Sequence, residues 1–247
     1  MPLREPKSRL IFALDVPDEN PALQLARTLR DEVGLFKVGL ELYLAGGPGL
    51  LGKIAKVTGP ERIFLDLKLY DIPATVLGAL NTITTKPAWI SIPSDLGPTG
   101  LKRIVAATAF PVLAVTVLTS ARAADLQALG YPPQYTENLT QLVVDRAKMA
   151  RAAGCRGVVC SGREVEAVKD ACGPDFLAVC PGIRPGWAAV PGDDQKRTVT
   201  PYEAVKNGAD YIVVGRPLRH AGNAAQQVAA ARRLAEEIEK GLKDRPG

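Results

Sequence analysis

Eight short runs rich in apolar and β-branched residues recur along the chain, at 9–16, 35–40, 62–68, 89–95, 111–119, 157–161, 176–182 and 211–217. They are nearly continuous rather than alternating, which is the pattern of parallel strands buried on both faces. Between them lie amphipathic, Ala- and Leu-rich segments, among them 20–30, 75–84, 138–153, 163–171 and 201–207, with a last one at 224–241. Strand and helix alternating eight times predicts an α/β protein, a single (β/α)8 barrel. A doubly wound sheet would carry a Gly-x-Gly-x-x-Gly turn after its first strand. This chain has Asp15-Val16-Pro17-Asp18-Glu19 there. No Pro-, Gly- or Ser-rich linker divides it, so residues 1–247 read as one domain, with 1–8 as a polar lead-in.

The exceptional polar residues fall at or near the ends of the apolar runs. Asp15 ends the first and Lys37 interrupts the second. Asp66 and Lys68 end the third, Thr119 and Ser120 the fifth, Pro181 lies in the seventh, and Gly215 and Arg216 end the eighth. In such a barrel those ends form the catalytic rim. If the third run is a strand throughout, Asp66 and Lys68 share one face. Burying an acid and an ammonium together costs several kcal/mol of hydration for each, of order, unless they pair or do chemistry. Singly, each residue has a plainer reading: a packing ion pair for Asp66 and Lys68, a helix cap near Pro17 for Asp15, a snorkelling side chain for Lys37. Their convergence on one rim points to a ligand.

The C-terminal third adds Pro181-Gly182-Ile183-Arg184, then Asp194-Gln195-x-Arg197, then Gly208-Ala209-Asp210 before the last run and Gly215-Arg216 after it. A Gly amide that can approach an anion closely, followed by a fork-shaped guanidinium, suits a phosphate. Residues 182–195 are rich in Gly and Pro and include Trp187, which looks exposed. They read as an active-site lid whose far end brings Gln195 toward the phosphate.

Bulk composition narrows the classes. Hydrophobic residues make up 47% and charged residues 23% of the 247, as in ordinary globular proteins. The net charge of +5 is spread along the chain and fits a phosphorylated small molecule better than nucleic acid. No apolar stretch suggests a membrane span, and residues 1–8 lack the apolar core of a secretory signal, so a cytoplasmic location is expected. Cys155, Cys160, Cys172 and Cys180 form no Cys-x-x-Cys pair and His220 is the single histidine, so no metal site is expected. Catalysis must then rest on carboxylates and lysines.

The run Asp66-x-Lys68-x-x-Asp71-Ile72-Pro73-x-Thr75 resembles the active-site signature of the orotidine 5'-monophosphate decarboxylase family. The segments at Leu14-Asp15, Lys37, 115–120, 159–161, 181–184, 194–195 and 215–216 extend that resemblance over nearly the full length. It implies cofactor-independent decarboxylation of orotidine 5'-monophosphate to uridine 5'-monophosphate, the last step of de novo pyrimidine biosynthesis. In that reading Lys68 donates the proton, Asp66 lies against the departing carboxylate, and Lys37 and Asp71 complete a charge array. The resemblance also assigns Asp15, Lys37 and Thr75 to the ribose, Thr119 and Pro181 to the pyrimidine, and Gln195, Gly215 and Arg216 to the phosphate. Arg184 joins the substrate-binding set. Asp71, Ile72 and Thr75 would reach the site of a second copy in a homodimer. One departure is visible: the family usually has His-Ala-x-Gly-Gly after the fourth strand, whereas this chain reads Pro93-Ser94-Asp95-Leu96-Gly97. Two alternatives stay open. One is a magnesium-dependent sugar-phosphate decarboxylase sharing the Asp-x-Lys-x-x-Asp core, with Glu41 as a candidate ligand. The other is a non-catalytic barrel that binds a phosphorylated ligand.

Overall fold

The strands are β1 (Leu10–Ala13), β2 (Leu35–Gly39), β3 (Ile63–Asp66), β4 (Trp89–Pro93), β5 (Val112–Val115), β6 (Gly157–Val159), β7 (Leu177–Cys180) and β8 (Tyr211–Val214). In the computed structural model, which describes residues 5–188 and 197–245, they pair in that order, all parallel, and β8 closes onto β1. The helices are α1 (Glu19–Leu29), α2 (Leu40–Thr58), α3 (Pro73–Asn81), α4 (Gly97–Ala107), α5 (Ala123–Ala128), α6 (Pro133–Thr136), α7 (Leu139–Ala152), α8 (Val165–Cys172), α9 (Pro201–Lys206), α10 (Arg216–Arg219) and α11 (Ala224–Lys243). This is the (β/α)8 barrel expected from the pattern of runs.

Each strand is shorter than the apolar run that announced it. The run at 62–68 stops pairing at Asp66 and the run at 111–119 at Val115, so the polar ends of both runs lie on βα loops. Helices α2 and α4 contain Gly46-Gly47-Pro48-Gly49 and Gly97-Pro98-Thr99-Gly100, which read locally as turns. In α4 the proline sits in the first turn, where its missing N–H is no loss. In α2 the chain kinks at Gly47, whose φ of 58° suits glycine, and a second helical stretch follows.

Side-chain alternation divides the core into two layers. Leu10, Phe12, Phe36, Val38, Ile63 and Leu65 point out against the helices. Ile11, Ala13, Leu35, Phe64, Trp89 and Val213 belong to a separate cluster that fills the barrel. Phe64 and Tyr211 both meet Trp89 edge-on, with centroids 6.1 and 4.7 Å away. Each such side chain contributes about 1.5–3 kcal/mol on burial, so this aromatic plug is a firm floor. Two residues further along the same inward rows stand Asp15 after Ala13, Lys37 after Leu35, Asp66 after Phe64, Ser91 after Trp89, and Gly215 after Val213. On these five strands the barrel thus changes from apolar floor to the rim of the cavity within one repeat.

Asp210, from the Gly-Ala-Asp pattern, has a structural task. It accepts from the Ala178 amide at 2.8 Å and from Lys169 Nζ at 2.6 Å, tying α8 to the start of β7 and β8. Close strand packing sets another requirement at Gly157, where an added Cβ would lie 2.3 Å from the Leu177 carbonyl oxygen. Gly157→Ala is therefore expected to lower stability by about 1–3 kcal/mol through overpacking. An unchanged denaturant midpoint would show that β6 and β7 can move apart freely.

Candidate active site

A cavity of about 540 Å³ opens at the C-terminal ends of the strands, above the aromatic plug. Asp15, Lys37, Asp66, Lys68, Thr119, Pro181, Arg184, Gly215 and Arg216 all line it. Their sequence positions span most of the chain; the closed barrel brings them to one rim.

The charges interlock. Lys68 Nζ donates to both Asp66 carboxylate oxygens at 2.8 Å. Lys37 Nζ donates to Asp15 Oδ1 at 2.7 Å and lies 3.9 Å from Asp66 Oδ2. Burial works to raise the Asp66 pKa, but the Lys37 and Lys68 ammonium groups and the hydrogen bonds from Lys68 and Ser91 outweigh it and hold the carboxyl below its ordinary value. Asp66 is therefore ionised in the folded protein at neutral pH.

The Asp66–Lys68 contact does not arise as strand alternation predicts. β3 ends at Asp66, and Lys68 is on the following loop with φ at 50°, the sole non-glycine residue with positive φ among the described residues. That conformation costs on the order of 1–2 kcal/mol. It is over-determined by Ser91, whose hydroxyl accepts from the Lys68 amide at 3.0 Å and donates to Asp66 Oδ1 at 2.7 Å. Ser91 was missed in the sequence, although its place two residues after inward-facing Trp89 was a readable signal. Arg219, which lines the cavity three residues after Arg216, was missed as well.

Other expectations need correction. Asp15 does not cap a helix at Pro17; α1 begins at Glu19 behind Asp18, and Asp15 instead holds Lys37. Trp187 is half-buried rather than exposed: its Nε1 donates to Glu237 at 2.6 Å and Arg233 stacks on its ring at 4.7 Å. Glu41, the candidate metal ligand, is exposed in the first turn of α2 and does not line the cavity. Of the expected lid, 182–188 is described, and Arg184 N donates to the Val199 carbonyl at 2.9 Å. Asp194 and Gln195 lie outside the described residues.

Asp71, Ile72 and Thr75 are exposed and do not line the cavity of their own chain. Asp71 accepts from the Ile72 amide at 2.6 Å, just before α3. In the departing loop after β4, Ser94 is buried and donates to the Thr116 carbonyl at 3.3 Å, while Asp95 pairs with Arg146. The four cysteines are buried and free, and burial pushes the Cys155 thiol up to about 12, so they act as small apolar residues.

With this geometry in view, comparison with known proteins decides the family. The Orotidine 5'-phosphate decarboxylase / HUMPS family matches residues 8–231. The chain belongs to this family. An orotidine 5'-phosphate decarboxylase of Desulfosudis oleivorans is 45% identical over 246 residues, covering 97% of this chain and 96% of that protein. One from Anaeromyxobacter dehalogenans is 46% identical, covering 94% and 98%. A crystal structure of the Lactobacillus acidophilus orotidine 5'-phosphate decarboxylase superposes with a TM-score of 0.74 at 30% identity, covering 93% of this chain and 98% of that one. The family includes members of more than one activity by its own description, so the charged rim must carry the finer assignment.

The depressed Asp66 pKa has a consequence for stability. Because the folded value lies below the unfolded one, near 4, the ionised Asp66 contributes stability that is fully present above the unfolded value. That contribution is lost as pH falls through the folded value. Asp66→Asn should flatten this part of the stability curve below about pH 4. Identical acid limbs for the two proteins would show that Asp66 is not held down.

Proposed function

We propose that this protein decarboxylates orotidine 5'-monophosphate to uridine 5'-monophosphate, the last step of de novo pyrimidine biosynthesis, without a cofactor. The relatives named for this reaction span nearly the full chain, which favours it over the other activities of the family. The observation that carries the reading is Lys68 Nζ at 2.8 Å from both oxygens of a buried, ionised Asp66 at the rim of the cavity.

The carbon–carbon bond to the carboxylate breaks, its electron pair stays on the ring carbon, and carbon dioxide leaves. Lys68 stabilises the developing carbanion and then transfers a proton from Nζ to that carbon. The anionic Asp66 stands against the leaving carboxylate, while Lys37 orients Asp15 toward the ribose. Thr119 and Pro181 face the pyrimidine. Gly215 and Arg216, with Arg184 and Gln195, take the phosphate, Arg216 through a charge-assisted fork.

A divalent cation at the same carboxylates fits poorly. Lys37 and Lys68 hold Asp15 and Asp66 at hydrogen-bond distance, so both carboxylates already have a cationic partner. Turnover of orotidine 5'-monophosphate, followed by its loss of absorbance, should persist with excess chelator. Activity abolished by chelator and restored by magnesium would replace this reading with the metal-dependent one. Tight nucleotide binding without turnover would replace it with the non-catalytic one.

The working unit in this reading is a cytoplasmic homodimer in which Asp71, Ile72 and Thr75 enter the partner's site. Their exposure, with Ile72 and Tyr70 each 66% accessible, supports a covering copy. Lys68→Ala and Asp71→Ala should each be inactive alone and regain activity on mixing. A mixed dimer has one site lacking both residues and one lacking neither. Random exchange makes about half of the dimers mixed, so roughly a quarter of wild-type activity should return. No recovery after verified subunit exchange would place Asp71 in its own chain's site.

A further inference from the structure

Arg197, in the Asp194-Gln195-x-Arg197 motif, has no part in the chemistry above, yet its side chain is buried where three βα loops meet. Its Nη1 donates to Glu164 Oε1 at 2.7 Å, in the loop after β6. Its Nη2 donates to the carbonyl oxygens of Val117 at 3.2 Å and Leu118 at 3.1 Å, in the loop after β5. The Arg197 carbonyl accepts from Ser161 Oγ at 3.3 Å. Close approach continues at Gly162, where an added Cβ would lie 2.4 Å from Val199 Cγ2. The residues so held, Val117 and Leu118, are cavity wall together with Thr119 and Ser120, which follow them directly.

Stability does not account for the pair. Among the described residues Arg197 Nε and Glu164 Oε2 are buried without a hydrogen-bond partner, and burial pushes the Glu164 carboxyl above its ordinary pKa with Arg197 opposing only in part. A buried ion pair with atoms left over is commonly no more stable than a well-packed apolar pair of similar volume. What an apolar pair could not do is grip two carbonyls of the β5 loop.

We infer that Arg197, braced by Glu164, is a positioning residue that fixes the 117–120 wall of the cavity relative to the loop after β7. The inference rests on the proposed decarboxylation, in which Thr119 faces the pyrimidine. Because Arg197 acts on the base wall and not on the phosphate, its loss should weaken the nucleotide and the phosphate-free nucleoside by the same factor.

The test compares wild type with Glu164→Leu/Arg197→Met and with Arg197→Lys. The double variant should melt at or above the wild-type temperature while kcat/KM for orotidine 5'-monophosphate falls on the order of tenfold to a hundredfold. Arg197→Lys keeps the charge, but one ammonium cannot span Glu164 and both carbonyls, so it should lose activity too if the double variant does not fold. Amide hydrogen exchange at 117–120 without substrate should accelerate in either variant. Wild-type kcat/KM in a folded variant, unchanged exchange at 117–120, or a loss confined to the nucleotide would each overturn the inference. Wild-type turnover judges the proposed decarboxylation by itself, and the exchange measurement judges Arg197 even if that turnover is absent.

Discussion

A carboxylate that must stay ionised while buried is the constraint on which this site depends. Asp66 loses its water to the barrel and would take up a proton if nothing replaced that water. Two ammonium groups and a serine hydroxyl replace it, drawn from β2, the loop after β3, and β4. Each donor belongs to a different segment, so the arrangement exists only when β2, β3 and β4 are paired. Shape and charge state are therefore one problem. The aromatic plug of Phe64, Trp89 and Tyr211 fixes the depth at which the rows turn polar; strand register sets Ser91 beside Asp66 and Lys37 beside Phe64, from where the long Lys37 side chain reaches up toward Asp66.

Lys68 shows where regular structure ends and chemistry begins. Continuing β3 by two residues would have placed Lys68 on the same face as Asp66 at no conformational expense. The chain instead leaves the strand and holds Lys68 in the left-handed region, with its amide anchored on Ser91. A side chain extending from a strand points in a direction set by its neighbours, whereas one on a clamped loop can be aimed. Serving both the aim of Lys68 and the ionisation of Asp66, Ser91 couples the two groups through one hydroxyl.

Much of this was legible in the sequence because parallel barrels mark their strands with apolar runs and their rims with polar interruptions. Asp15, Lys37, Asp66, Thr119, Pro181 and Arg216 were readable for that reason, and all line the cavity. The strand ends were not, because hydrophobicity continues past the last paired residue wherever a loop covers the core, as in Val117 after β5. Helix α2 was obscured by Gly46, Gly47, Pro48 and Gly49, which encode a kink inside a helix as readily as a turn between two. Trp187 looked exposed because its partners, Arg233 and Glu237, lie about fifty residues away on α11. Contacts of that kind carry no local signal.

The same logic separates Arg216, which the sequence marks for a phosphate, from Arg197, to which the sequence gives no task. Arg216 opens α10 beside Gly215 and lines the cavity, which places it on the face where a ligand would bind. Arg197 spends its donors inside the protein, on Glu164 and on two main-chain carbonyls. A guanidinium is suited to both tasks because its planar fork can meet either two oxygens of one phosphate or oxygens from separate loops. The difference lies in what surrounds the fork. In the proposed reaction one arginine takes the phosphate, and in the inferred role the other makes a wall out of loop segments, which would let a rim built from loops keep the geometry of the barrel beneath it.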